Sequence, residues 1–265
     1  MPQGIKVASL FDGISCGRAA LDRAGIAVSA YEAYEIDKYA KAISRQNYPG
    51  IAQRGDVTNA DFSLFRGHDL VLGGSPCNFW SISKANREAD KAGMGWKLFM
   101  KFAEAVRIIN PRFFLYENVA SMPAGIKACI SEELGVGPVL INSALVSAQS
   151  RKRLYWTNIK GVAQPEDRGI LIKDILSPSP AIQAGAALRT RSGCSGSCKR
   201  LEIRGDGKLN ALTTAPTDSA VCSPVRVGQF AGGGQGIQRL RQKRFLNGKR
   251  RGQGRQGGDV QNRPA

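Results

Sequence analysis

The sequence predicts an α/β fold built on a doubly wound, mostly parallel sheet. Over residues 1–160 an apolar run, a small or polar turn and a helical pattern recur in that order. The groups able to do chemistry fall at the carboxyl ends of the predicted strands, where such sheets gather their sites. A 42% hydrophobic share over 265 residues supplies a core for one large domain, or for a domain with a smaller lobe.

Ile5–Phe11 reads as a buried strand, followed by the glycine-containing turn Asp12–Gly17 and a helix over Arg18–Ala24. Ala27–Tyr34 is the second strand and Lys38–Gln46 the second helix, with a third strand expected before Asp56. Asp69–Leu72 is a short buried strand running into Gly73-Gly74-Ser75-Pro76. Leu98–Ile109 carries apolar residues at helical spacing and stops at Asn110-Pro111. Phe113–Tyr116 is a strand ending at Glu117-Asn118, and Ala144–Ala148 and Leu154–Ile159 read as paired strands flanking Gln149–Arg153. After about residue 162, clusters of Pro, Gly and Ser predict an irregular small lobe. Residues 228–265 hold so few large apolar side chains that disorder is expected.

No apolar run reaches the roughly 18 residues of a membrane-spanning helix, so no membrane role is expected. The start lacks the basic and apolar regions of a signal peptide, which points to the cytoplasm and to reduced thiols for the six cysteines. A single histidine, His68, leaves almost no material for chemistry needing several imidazoles. The net charge of +17 favours a polyanionic partner, DNA or RNA. It is unevenly placed: residues 225–265 hold ten Lys/Arg against Asp259, contributing +9 and leaving +8 elsewhere.

Four constellations carry chemistry. The turn Phe11-Asp12-Gly13-Ile14-Ser15-Cys16-Gly17 leaves a strand and enters a helix, so backbone can approach a ligand closely. Glu35, at the end of the second strand, is placed to accept from ribose hydroxyls, and Asp56 from an adenine amino group. The turn does not match GxGxxG, which favours another nucleoside over a dinucleotide; a purely structural turn explains the glycines equally well. Gly73-Gly74-Ser75-Pro76-Cys77-Asn78 presents a thiol just past a strand end, which suggests a nucleophile more than core filler. Tyr116-Glu117-Asn118-Val119 sets a carboxylate at another strand end. In Gln149-Ser150-Arg151-Lys152-Arg153, strand alternation points Arg151 and Arg153 the same way. A solvated basic edge is the bland alternative.

Together these four motifs, in this order, resemble the DNA cytosine-5 methyltransferase family over about residues 5–160. Ser75-Pro76-Cys77-Asn78 and the QSRKR stretch look closest to the branch holding animal de novo enzymes and related phage or prophage enzymes. The resemblance implies a Rossmann-like S-adenosylmethionine-dependent methyltransferase fold. It implies that Phe11, Asp12, Gly13, Ile14, Ser15, Cys16 and Gly17 line the cofactor pocket with Glu35, Ile36, Asp56, Val57, Pro76 and Leu98. Cys77 would be the attacking nucleophile, with Glu117, Arg151 and Arg153 around a flipped-out cytosine and Ser75, Asn78, Asn118 and Val119 as further substrate contacts. The implied cofactor is S-adenosylmethionine, leaving as S-adenosylhomocysteine, with no metal. The implied partner is double-stranded DNA, with a cognate restriction enzyme as a further candidate. Amino-directed DNA methyltransferases use an Asp/Asn-Pro-Pro-aromatic turn without a thiol, so Ser75-Pro76-Cys77 argues for carbon 5.

The expected division is a catalytic S-adenosylmethionine-binding domain over 1–162, a partial target-recognition region over 163–236 and a basic tail over 237–265. The family's RxLTPxE…RLQGF segment and final Gly-Asn motif have no counterpart here. A shift of reading frame near residue 236 is the expected cause, and a disordered arm gripping phosphate the alternative. On the first view one wall of the cofactor pocket is missing, and activity of the chain as it stands is in question. Cys194, Cys198 and Cys222 are too few for a structural zinc site without a local histidine, and their Gly/Ser surroundings suit a recognition loop. Two other functions compete: an RNA (transfer RNA) cytosine-5 methyltransferase of the same fold, and an inactive relic that binds DNA or cofactor.

Overall fold

The computed structural model describes residues 4–82, 86–175, 184–191, 198–210 and 220–222, and of 184–191, 198–203, 210 and 220–222 the backbone alone. The expected basic tail over 237–265, and most of the glycine- and serine-rich stretch before it, lie outside the described residues.

The chain opens with β1 (Ile5–Leu10), α1 (Cys16–Arg23), β2 (Val28–Tyr34), α2 (Lys38–Asn47), β3 (Ala52–Gly55) and β4 (Leu70–Gly73). It continues through α3 (Met94–Ile109), β5 (Phe113–Val119), α4 (Ala124–Leu134), β6 (Pro138–Asn142), β7 (Gln149–Ser150) and β8 (Lys152–Thr157). Beyond these lie the short α5 (Ile172–Ile175), β9 (Ala184–Arg191), β10 (Cys198–Ile203), β11 (Leu209–Asn210) and β12 (Ala220–Cys222).

Seven strands form one sheet in the order β3-β2-β1-β4-β5-β8-β6. β3, β2, β1, β4 and β5 run parallel, and β8 lies antiparallel between β5 and β6. This is the expected mostly parallel α/β sheet. Val7, Ala8 and Leu10 are fully buried, as an apolar strand covered on both faces must be. One core cluster joins Leu10, Val71 and Phe114 to Phe99, Phe102 and Ile109 of α3. Tyr116 sits at its centre, with ring centroids 5.2 Å from Phe99, 4.9 Å from Phe102 and 5.8 Å from Trp156. A second cluster joins Val7, Leu21, Tyr31 and Ile51. A three-stranded antiparallel sheet, β10-β9-β12, and a parallel pair, β11-β7, form the remaining strand pairings.

α3 begins at Met94, four residues before the expected Leu98. The Glu88 carboxylate supplies the missing start signal, accepting from the amides of Met94 (3.1 Å) and Gly95 (2.8 Å). At its far end Asn110 turns left-handed (φ 50°) ahead of Pro111, as read from the sequence.

Ala144–Ala148 is not a strand. Ser143–Leu145 forms a 3₁₀ turn, and the partners of β8 are β5 and β6. Short polar side chains capture the backbone groups a ladder would need. The Asn142 Oδ1 accepts from the amides of Ala144 (3.2 Å) and Arg151 (3.1 Å), and Ser143 Oγ donates to the Gln149 carbonyl at 2.7 Å. α4 and β6 match no expected element, although Pro123 and the left-handed Gly135 (φ 67°) bracket α4 as good boundary residues. Among the described residues no helix is long and apolar enough to cross a membrane.

His68 lies edge-on to Phe65 (centroids 5.3 Å apart), and both its ring nitrogens are buried without a hydrogen-bond partner among the described residues. Burial pushes its pKa below the usual histidine value, against smaller opposing effects that include Glu32 and Asp69, while Lys6 adds to the lowering. The unfolded chain therefore binds more protons than the folded one as pH falls through about 6.5, and stability is lost in that direction. Urea midpoints taken from pH 7.5 to 5 should fall less steeply for His68→Leu than for the natural chain, and equal slopes would refute this origin.

Candidate active site

Strand register brings the four motifs to one edge. Leu10 is level with Tyr34 and with Gly73, and Gly73 is level with Tyr116. One residue beyond that line stand Phe11, Glu35, Gly74 and Glu117. β8 runs the opposite way, so its first residues arrive at the same edge, with Arg153 level with Val119. In this sheet the order reverses between β1 and β4, the kind of crevice where open α/β sheets take ligands.

The first turn is conformationally demanding. Phe11 (φ 59°), Gly13 (φ 61°) and Ser15 (φ 65°) all occupy the left-handed region, which costs a bulky residue such as Phe. Asp12 holds the turn from inside. Its Oδ1 accepts from the hydroxyls of Ser9 (2.6 Å) and Tyr31 (2.7 Å), and its Oδ2 from Ser15. Burial, then the Asp12 charge, pushes the Tyr31 phenol upward, so Tyr31 keeps its proton and donates. Ser15 is buried and also meets Ser44 Oγ at 2.6 Å. Gly17 lets α1 lie close to the sheet, since a Cβ there would stand 2.7 Å from Leu72 Cδ1.

Glu35 clasps the turn from the second strand. Its Oε2 accepts from the Gly13 amide, and its Oε1 from those of Ile36 and Asp37, each at 2.8 Å. Ile36 is 71% exposed, an apolar face left open beside that carboxylate. Asp56 is exposed, accepting from Thr58 N at 2.8 Å, and hydrogen bonds from Thr58 hold its carboxyl below the usual range. Ile14, Cys16 and Pro76 are exposed, Leu98 is half-buried, and Val57 belongs to the core. An exposed apolar side chain beside a carboxylate that clasps the first turn is a surface that could receive an adenosine-bearing ligand.

The second turn is pressed against the third motif. A Cβ on Gly73 would lie 2.5 Å from the Phe102 ring, and one on Gly74 3.1 Å from both the carbonyl and Oε2 of Glu117. Cys77, half-buried, opens the 3₁₀ turn Cys77–Phe79, and its carbonyl accepts from the amides of Trp80 (3.1 Å) and Ser81 (2.9 Å). Cys77 and Phe11 pack against the same core cluster.

A buried polar brace ties this turn to β5. Ser75 Oγ and Tyr116 Oη are 2.6 Å apart, and the Asn118 Nδ2 donates to Ser75 O and to Tyr116 Oη, each at 3.1 Å. The Asn118 Oδ1 accepts from Val119 N at 2.8 Å. The sequence reading puts Ser75, Asn118 and Val119 against a substrate, whereas the structure puts all three inside the fold. Asn78 is exposed. Tyr31 and the bracing role of Tyr116 escape the sequence reading, because a buried tyrosine in an apolar strand looks like any other core residue.

Glu117 Oε1 lies 2.8 Å from Arg153 Nε. Burial pushes the Glu117 carboxyl upward, and Arg153 and then Arg151 oppose it. The two arginines do not share a strand: Arg153 is half-buried within β8, and Arg151 is exposed between β7 and β8. Both still act on one carboxyl. Among the described residues no group of three or more His, Cys, Asp or Glu could hold a metal ion.

The family described as C-5 cytosine-specific DNA methylase matches residues 5–166, a span that contains every motif above. The chain belongs to the C-5 cytosine-specific DNA methylase family. This methylase-family chain is 31% identical over 168 residues to the orphan methyltransferase M.SPRI of Bacillus phage SPR, covering 59% of the chain and 38% of that relative. It is 29% identical over 189 residues to orphan methyltransferase M.Rho11sI of Bacillus phage rho11s, covering 65% and 37% respectively. To the type II methyltransferase M.HhaI of Haemophilus parahaemolyticus it is 27% identical over 252 residues, covering 88% of the chain and 70% of the relative. The chain thus spans well under half the length of the two phage relatives.

Asn118→Ala removes the Nδ2 bonds to Ser75 O, Ser75 Oγ and Tyr116 Oη and leaves the buried Ser75 carbonyl without this donor. It should cost about 1–3 kcal/mol in urea unfolding, and a loss within error of zero would show that the brace adds no stability.

Proposed function

We propose that the chain transfers a methyl group from S-adenosylmethionine to carbon 5 of cytosine in duplex DNA, as a cytoplasmic enzyme of phage or bacterial DNA modification. The observation that carries this reading is the Cys77 turn packed through Gly74 against Glu117, with Arg153 closing on the same carboxylate. Residues 1–162 would do the chemistry and 163–236 would contribute to target recognition.

The cofactor would sit over Phe11–Gly17, with the Glu35 carboxylate accepting from the ribose, the Ile36 side chain against the adenine and Asp56 accepting from its amino group. When bound, S-adenosylmethionine supplies an electrophilic methyl group on a sulfonium, which carbon 5 takes up. The protein's task is to make that carbon nucleophilic. Drawing the base from the stack costs a few kcal/mol. The Cys77 sulfur then bonds to carbon 6, and the displaced ring electrons enrich carbon 5. Glu117 faces N3 and the exocyclic amine. Burial raises its pKa against the opposing charges of Arg153 and Arg151, and its hydrogen bonds to the base steady the ring as it gains charge. Arg151 and Arg153 steady the base carbonyl and the adjoining backbone. Loss of the carbon 5 proton expels the Cys77 sulfur and restores the ring. Ser75, Asn118 and Val119 serve as positioning residues beneath this surface.

Cys77→Ser should abolish methyl transfer while leaving S-adenosylmethionine affinity within about twofold. A serine variant that still methylates would sink the assignment. With a 5-fluorocytosine duplex, the fluorine cannot leave as the proton does, so a covalent adduct should persist at Cys77; peptide mapping of the adduct to Cys16 would overturn the mechanism. Glu35→Ala should weaken cofactor binding by about tenfold or more, the ~1.5–3 kcal/mol of a hydrogen bond to a charged group. Unchanged affinity by calorimetry would remove Glu35 from the site.

A further inference from the structure

Lys208 is the one charged residue among the described residues that is fully buried, at 7% exposure. No carboxylate pairs with its ammonium among them. Instead three backbone carbonyls converge on it: Ala144 at 2.6 Å, Ile170 at 2.7 Å and Ser147 at 3.4 Å. These come from two separate segments, and Lys208 itself from a third. A buried cation without a counter-ion is expensive, and charge-assisted bonds to carbonyls offset that cost only while all the segments are in place.

Two of those carbonyls belong to the loop that leads through β7 and Arg151 into β8, the strand that carries Arg153. That loop is already knotted by its own side chains. Ser147 Oγ donates to the Ser143 carbonyl at 2.8 Å, and Ser143 N donates to the Arg151 carbonyl at 3.1 Å. Immediately after Lys208, β11 pairs in parallel with β7, and Leu209 N donates to the Ala148 carbonyl at 2.7 Å. The turn before Lys208 is stiffened by an Arg204–Asp206 ion pair, and Asp206 also accepts from Lys208 N at 3.2 Å. Ile172 N donates to the Gly207 carbonyl at 2.9 Å, and Arg168 N to that of Leu145 at 2.8 Å.

We propose that Lys208 is a positioning residue for the methyl-transfer reaction: by gathering the carbonyls of Ala144, Ser147 and Ile170 it sets the loop that leads through Arg151 into β8, and so places Arg151 and Arg153 about Glu117. This rests on the reading of Glu117 and the two arginines as the cytosine-binding groups. The recognition region is thereby coupled to the chemistry through one ammonium group. A lysine suits the task because three carbonyls can surround a compact tetrahedral head, whereas the planar guanidinium fork of arginine presents its donors in one plane.

The test compares the full chain with Lys208→Met and Lys208→Arg in single-turnover methyl transfer and in adduct formation with a 5-fluorocytosine duplex. S-adenosylmethionine affinity and thermal midpoint are measured on the same samples. Each variant that folds should bind S-adenosylmethionine within about twofold of the natural chain yet form adduct and product more slowly. The expected loss is roughly tenfold for Arg and approaches a hundredfold for Met, the scale on which a misplacement of about 1 Å acts. A role confined to folding would lower the fraction of chains that form adduct without slowing those that do. The inference fails if a folded variant reacts at the natural rate, or if neither variant folds. Absence of any adduct with the natural chain would instead overturn the underlying assignment of function.

Discussion

The arrangement at the sheet edge depends on how closely the turn after β4 can approach β5. Two glycines set that distance. Gly73 clears the Phe102 ring, and Gly74 clears the Glu117 carbonyl and carboxylate, where any side chain would intrude. Once the backbones are that close, Ser75 meets Tyr116 and Asn118 reaches both, so the turn is pinned from below by partners that are fully or almost fully buried. Cys77 then emerges two residues later in a 3₁₀ turn whose direction is already fixed. The thiol owes its place to steric clearance first and hydrogen bonding second.

The two carboxylates nearest the crevice are treated in opposite ways, and the contrast separates their roles. Asp12 is turned inward onto the hydroxyls of Ser9, Ser15 and Tyr31, a set that makes it a fastener of the turn. Glu117 has an arginine on one oxygen, while burial outweighs Arg153 and Arg151 and raises its pKa. Glu117 therefore keeps an oxygen toward the sheet edge, whereas both oxygens of Asp12 are taken up by hydroxyls inside the turn.

Much of this was legible from residue order. Alternating apolar runs and turns located β1, β2, β4 and β5, and the strand ends carried the informative residues because they are where an open α/β sheet exposes groups. The failures have a common cause. Ala144–Ala148 looks like a strand by composition, but the side chains of Asn142, Ser143 and Ser147 divert its backbone into a loop, a competition that periodicity does not register. Asn118 and Ser75 are polar and sit beside the motifs, which suggests contact with a ligand, yet their partners are one another and Tyr116. Arg151 and Arg153 were expected on one strand face. They act on one carboxyl from different backbone settings, because the chain breaks between β7 and β8 at Arg151 and only Arg153 lies within a strand.

Lys208 illustrates the deeper limit. A lysine in the run Gly205-Asp206-Gly207-Lys208 reads as a solvated turn residue, and nothing nearby in the sequence signals burial. Its environment exists only after segments near 144, 170 and 208 have met. Because the ammonium has no carboxylate partner among the described residues, its position is tolerable only when the carbonyls converge, so the three segments stabilise one another all together or hardly at all. Such a dependence runs in both directions. A change that loosens the turn at 204–208 is felt at the loop before Arg151, and a change that moves that loop exposes a cation to an interior with nothing to receive it.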